Sequence, residues 1–279
     1  MTYQIEIPQM DACVSAVRHI RRLRGGSQSH LLAASDGGLY VTKFQNNAQH
    51  VRVLANEMLA GQLGQFLGLP VATVEVIDVP EWLIEQTPDL SVEVGNAIFP
   101  CSAGRQLGSR YVSDPAGSKV REYLPDDLFA RVVNLHDFPR VLVLDKWASN
   151  CDGRQVVFNL SSSGTDTYTA TFIDQGFCFN AGEWNFPDMP LRGTYARKSV
   201  YTMVGGWDAF EPALSRAESM GLDEIWRYAL RIPEEWYEHD SDGLSRICEG
   251  LYRRRPLIRT LIAAFRNSPG NPFPNWTKD

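Results

Sequence analysis

The chain has 279 residues, enough for one large domain or two small ones with a buried core. Its 44% hydrophobic and 22% charged residues lie near the averages for globular proteins and exclude a disordered, collagenous or coiled-coil chain. Lys and Arg number 27 against 33 Asp and Glu, a net charge of −6, which argues against a general nucleic-acid coat and leaves room only for local basic patches.

Five cysteines, Cys13, Cys101, Cys151, Cys178 and Cys248, are odd in number and lie far apart with no CxxC pair, the pattern of reduced thiols in a cytosolic protein. The histidines show no HxH or HxxxH spacing, so a structural zinc site has no support. The N-terminal MTYQIEIPQMD lacks a basic region followed by an apolar one, and the longest apolar stretch, PLIRTLIAAF, is short and carries an arginine. Neither a signal peptide nor a membrane span is expected, and the expected location is cytoplasmic.

In chain order, Val14 to Arg24 reads as a basic strand carrying Arg18, Arg21, Arg22 and Arg24, followed by the small-residue loop Gly25-Gly26-Ser27-Gln28-Ser29. His30 to Ala34 and Leu39 to Phe44 form a predicted hairpin around Asp36-Gly37. Gln49 to Leu67 has apolar residues spaced by three or four and stops at Gly68 with Pro70 beyond, a helix, and Val71 to Val79 is a strand. Residues 80 to 120, punctuated by Pro, Gly and Ser, read as a connector between two lobes with Ser91 to Phe99 its only strand. Asp126 to Asn134 and Phe138 to Trp147 are predicted helices, and Gln155 to Leu160 and Tyr168 to Ile173 a second hairpin turning at 161–165. Leu222 to Leu230, Gly243 to Arg254 and Leu257 to Arg266 are predicted amphipathic helices, with Arg253-Arg254-Arg255 on an exposed side and Trp147, Trp207, Trp226 and Trp236 in the core.

Two constellations carry chemistry. The first hairpin places Lys43 close to His30 and so beside the Gly25 to Ser29 loop, and a loop with free backbone N–H groups and a nearby lysine can cradle phosphate. Glu57, on the helix face opposite most of the apolar residues, could reach back to hold Lys43. Taken singly, these residues more readily describe an ordinary turn, a solvated lysine and a surface glutamate. The second hairpin brings Asp152, ahead of its first strand, beside Asp174, after its second. Two carboxylates so placed repel unless a cation with oxygen ligands lies between them, and Asn150 and Gln155 add neutral oxygens, a donor set suited to magnesium and polyphosphate. Aspartates at hairpin ends also serve as turn formers and caps.

The loop, the lysine of VTKF, the segment LANEMLAGQLGQFLGLPVA, NCDGRQVVF and FIDQGFCF together resemble the HipA-like kinases, over roughly residues 20 to 180. The resemblance implies an α+β, two-lobed protein-kinase-like fold, with a sheet-rich lobe to about residue 120 and a larger helical lobe after it. It implies ATP and Mg²⁺ as ligands, transfer of the γ-phosphate to a protein serine or threonine, Asp152 as catalytic base, Asp174 as metal ligand and Lys43 on the phosphates. One departure stands out: the asparagine such kinases place five residues after the base is Val157 here. Asp145 and Asn150 offer the rival D-x4-N register of ordinary protein kinases. Alternatives carried forward are a catalytically inactive nucleotide-binding module, and an enzyme of the same fold that acts on a small molecule or lipid or transfers AMP. Arg192, Arg197 and Lys198 stand where a kinase holds its substrate and could meet an acidic or phosphorylated partner.

Overall fold

The structure, a computed structural model, describes residues 14–112, 120–161 and 165–277. Cys13, the end of the predicted connector at 113–119 and the turn residues 162–164 lie outside the described residues. The first part of the chain runs β1 (Val14–Arg22), β2 (His30–Ala34), β3 (Leu39–Lys43), α1 (Arg52–Phe66), β4 (Val74–Val79), α2 (Glu81–Glu85), β5 (Ser91–Val94), β6 (Ala97–Pro100) and β7 (Gly104–Arg110). Strands β1-β2-β3-β7-β4 close into a barrel, antiparallel except where Val14 and Ser15 of β1 meet Ile77 and Asp78 of β4 in parallel. Closure leaves the barrel no open edge.

The Asp36-Gly37 turn forms as its chemistry dictates: Gly37 takes φ +77°, and the Asp36 carboxylate accepts from the Gly38 N–H at 2.8 Å. The register sets Thr42, not Lys43, opposite His30, while Lys43 pairs with Leu107 of β7. That partner strand lies inside the segment read as a connector. Its pattern hides it because Gly108 stands where an apolar residue would alternate: a Cβ there would come within 2.2 Å of Ile77 Cγ1, so only glycine lets β7 close the barrel over Ile77 and Tyr40. The single strand predicted over 91–99 is instead the hairpin β5–β6, turned at Gly95, which has φ +62°.

α1 is buried on nearly every side, from Val53 to Gly64. Gly61 and Gly64 let it approach Val74 and Val71, whose methyls would lie within about 3 Å of any added Cβ, and Leu54, Met58 and Leu63 enter the main core. The helix therefore has no polar face, and Glu57 is an interior residue rather than one opposite the apolar side.

The second part runs β8 (Val120–Arg121), α3 (Asp126–Phe129), α4 (Asp137–Trp147), β9 (Gln155–Leu160), β10 (Tyr168–Ile173), α5 (Ala213–Ser219), α6 (Leu222–Ala229), α7 (Ser241–Arg254) and α8 (Leu257–Arg266). A small sheet, β10-β9-β8, faces the barrel, and a helical region follows. The helix predicted over 126–134 ends at Phe129 because Val132 leaves to pair with Tyr168. Arg254 is buried, contrary to the exposed side expected for it: its guanidinium donates to the carbonyls of Lys146, Trp147 and Phe186 and to Asp188, closing the C-terminal end of α4. The two parts join through the bridge Val71 to Phe172 and a bidentate Arg105–Glu235 pair at 2.7 and 2.6 Å. No helix among the described residues is long and apolar enough to cross a membrane, and the four described cysteines are free.

Inside the barrel, His30 is fully buried, its Nε2 donating to the Ser91 carbonyl at 3.1 Å and its Nδ1 accepting from His19 at 3.1 Å. Burial pushes its pKa down from 6.5 to about 4. Because the unfolded chain protonates first, this residue's share of stability is intact above pH 6.5 and falls as pH drops toward 4. Thermal melts between pH 7 and 5 are expected to show this loss, on the order of 1–3 kcal/mol, in the wild type and a flatter profile in His30→Gln.

Candidate active site

A cleft of about 880 Å³ lies between the barrel and the β9–β10 hairpin. Part of its lining is apolar, with Val41, Ala72 and Val74 on the barrel side and Val157 and Ile173 on the other, of a polarity that suits an aromatic ring. Much of the rest of its lining is charged or polar. There Lys43 Nζ sits 2.5 Å from Glu57 Oε2 and 2.8 Å from Asp174 Oδ1. β3, α1 and the end of β10 each deliver one member of this triad from distant parts of the chain.

The side chains of Lys43 and Glu57 are 7% and 5% exposed, so their charges are paired in a medium poor in water. Burial works against the Lys43 ammonium, but Glu57 and Asp174 together outweigh it and hold its pKa above the ordinary lysine value. Burial likewise opposes the Asp174 carboxylate, yet Lys43, with Arg154 and the Gly176 N–H, keeps its pKa below the usual range. Glu57 goes the other way, since burial raises its pKa more than Lys43 lowers it. Asp174 also takes φ +60°, an uncommon conformation for a residue with a side chain and one that recurs at functional sites.

The loop after β1 is closed by Leu23 N–H to Ser29 at 2.8 Å and Gln28 N–H to Gly25 at 3.2 Å. Gly25, Gly26, Ser27 and Ser29 line the cleft. Gln28 does not: its side chain turns outward and binds Arg22 and Glu93. Arg21, Arg22 and Arg24 also contribute to the cleft's lining.

The turn between α4 and β9 separates the two registers. Asp152 is exposed and lines the cleft, with its Oδ1 accepting from the Gly153 N–H at 2.7 Å. Asp145 is 2% exposed and accepts from Asn150 Nδ2 at 2.8 Å and Arg154 Nε at 3.1 Å. Asn150 is therefore not brought to the cleft; its amide is committed to Asp145 and to the Asp152 N–H, which leaves Asp152, Asp174 and the exposed Gln155 as the members of the expected donor set that line the cavity. No cluster of three or more His, Cys, Asp or Glu able to hold a metal occurs among the described residues. The donor set, hard oxygens and two carboxylates, fits a magnesium-type ion that completes its shell with ligand oxygens and water.

Two residues to which the sequence alone assigned no role hold this arrangement. Arg154 is buried and donates to Asp145, to the Ile173 carbonyl at 3.1 Å and to Gln175, tying the turn that carries Asp152 to the loop that carries Asp174. Asn56, beside Glu57 on α1, donates to the carbonyls of Gly176 and Ala181, both at 2.8 Å, and accepts from Trp184 Nε1 at 2.7 Å, so the helix also grips the chain after Asp174. A cationic residue in NCDGR opening an apolar strand, and a poor helix former inside an apolar helix, were the available signals. Asp145→Asn removes the anion beside Arg154 and is expected to cost about 3–5 kcal/mol in urea unfolding. Asp152→Asn, at an exposed site, is expected to stay within about 0.5 kcal/mol of wild type.

The sequence pattern of the HipA-like kinase family matches residues 16–254. No curated protein matches the chain. Among solved structures, the Golgi casein kinase with Mn/ADP bound is similar at a TM-score of 0.50, with 12% identity over 92% of this chain and 74% of that one. The Helicobacter pylori proinflammatory kinase CtkA is similar at 0.50, with 13% identity over 88% of this chain and 99% of that one. At such identities these likenesses speak for a kinase-like fold, and the family match, spanning most of the chain from β1 to the end of α7, carries the assignment: the chain belongs to the HipA-like kinase family.

Proposed function

We propose that the protein transfers the γ-phosphoryl group of ATP, bound with Mg²⁺, to a serine or threonine hydroxyl of a protein. The observation that carries this reading is the Lys43–Glu57–Asp174 triad in a cleft lined also by apolar residues from both sides. The adenine would lie between Val41, Ala72 and Val74 and the opposing Val157 and Ile173. Lys43, aimed by Glu57, would neutralise phosphate oxygens, and the Gly25 to Ser27 amides and Ser29 would cover them. Asp152, exposed and without an ion pair among the described residues, would accept the acceptor's proton, while Asp174 with Gln155 would hold the cation. When bound, the cation would screen the charge that spreads over the transferred group. The similar Golgi casein kinase structure carries Mn and ADP, which supports a nucleotide and a divalent cation as ligands. Arg192 and Lys198, both exposed, would meet the acceptor; Arg197, expected to join them, instead packs its guanidinium over the rings of Tyr123 and Phe129 beside Asp126.

A second reading, a nucleotide-binding module without transfer, is favoured by two observations: Val157, at the position of the second metal-binding asparagine, is buried beside the cleft, and Asn150 is turned away. The two readings differ in outcome. Mg-ATP at millimolar concentration is expected to raise the melting temperature by several degrees in the wild type and less in Lys43→Met. With γ-labelled ATP and cell extract, Asp152→Asn is expected to lose at least about a hundredfold in transfer and keep the thermal shift, whereas Asp174→Asn loses both. Shift without transfer by the wild type would select the second reading, and no shift at all would remove both.

A further inference from the structure

Gln28 was expected to face the nucleotide, yet its carboxamide points away from the cleft and is nearly saturated. Nε2 donates to the Glu93 carbonyl at 2.7 Å, and Oε1 accepts from both the Glu93 N–H and Arg22 Nη2 at 2.7 Å. Arg22 Nη1 also reaches Glu93 Oε1 at 2.8 Å. A primary amide that takes the N–H and C=O of one residue reproduces a rung of a β-ladder. In β5–β6 the residue at this point pairs across with Ile98, and its outward backbone groups would otherwise face solvent.

The loop backbone is set up for this. Gln28 takes φ +48°, a conformation that costs a non-glycine residue about 1 kcal/mol and that projects the side chain outward while Gly25, Gly26 and Ser27 keep their inner faces on the cleft. Two short glycines would otherwise leave the loop many conformations to lose on closing over a ligand.

We propose that Gln28 is a positioning residue: by docking on the backbone of Glu93 it latches the glycine loop to the β5–β6 hairpin and so preorganises the loop amides for phosphate. The inference rests on the nucleotide-binding reading above, and its test has one arm that does not. In nucleotide-free protein, tryptic cleavage after Arg24, an exposed residue at the loop's edge, reports loop opening. Gln28→Ala is expected to speed it about three- to tenfold and to weaken Mg-ATP binding by a similar factor, with the melting temperature of the free protein nearly unchanged. Gln28→Glu keeps the acceptor and loses the donor, and is expected to fall between the two. Glu93→Ala leaves the backbone groups that Gln28 uses and is expected to behave close to wild type.

Cleavage and affinity in Gln28→Ala equal to wild type would overturn the latch, and faster cleavage with unchanged affinity would overturn its service to the nucleotide. A Glu93→Ala variant as impaired as Gln28→Ala would overturn it too, by placing the effect in the Arg22–Glu93 ion pair. Failure of the wild type to bind Mg-ATP would remove the functional reading, and cleavage rates would still decide whether the loop is latched.

Discussion

One ammonium group organises this molecule. Lys43 is buried, and a lysine in that position must either lose its proton or be met by anions. It is met twice, by Glu57 from the helix above and by Asp174 from the second sheet, so three elements far apart in sequence must dock together for any one charge to be tolerated. The cleft is the space left beside that junction. A pair alone would balance charge; the second carboxylate leaves a surplus negative charge that suits a cation, and the ammonium can engage an anionic ligand without leaving Glu57.

The geometry that makes the triad possible is set by packing. α1 can bring Glu57 down to β3 only because Gly61 and Gly64 let its backbone press on Val74 and Val71, and because nearly all its faces are covered. Asn56 then uses the next position of the same helix to hold the chain after Asp174, so the helix controls both partners of the lysine. A second buried ionic group, Asp145 with Arg154, performs the corresponding service on the other side of the cleft, fixing the turn of Asp152 against the loop of Asp174. Removing one partner from either group strands a charge in a dry interior, which is why these contacts specify geometry more than they add net stability.

Much of this was legible in the residues. Asp36-Gly37 between alternating strands, the three-and-four spacing from Gln49 to Leu67, and the β-branched runs 155–160 and 168–173 are local signals, and the structure has a hairpin, a helix and a second hairpin there. The convergence of Asp152 and Asp174 on one cavity followed from antiparallel pairing, in which Gln155 stands opposite Ile173. The misreadings share one cause. β7 lacks alternation because Gly108 serves Ile77 across the barrel; Arg254 looks like a surface arginine until α4 ends beside it; Asn150 and Gln28 carry the right polar groups for ligands but point to Asp145 and Glu93.

The sequence by itself therefore determined the two hairpins at 30–43 and 155–173, the helix α1 between them, the polar residue types at the cleft and the family likeness, since each depends on neighbours a few residues apart or on motif spacing. Which polar groups face the cavity and which are consumed in holding it was decided only by tertiary structure. A carboxylate or amide has the same hydrogen-bonding capacity in either role, and only the burial and the partners supplied by distant segments, Arg154 for Asp145, Lys43 for Glu57, the Glu93 backbone for Gln28, tell the two roles apart.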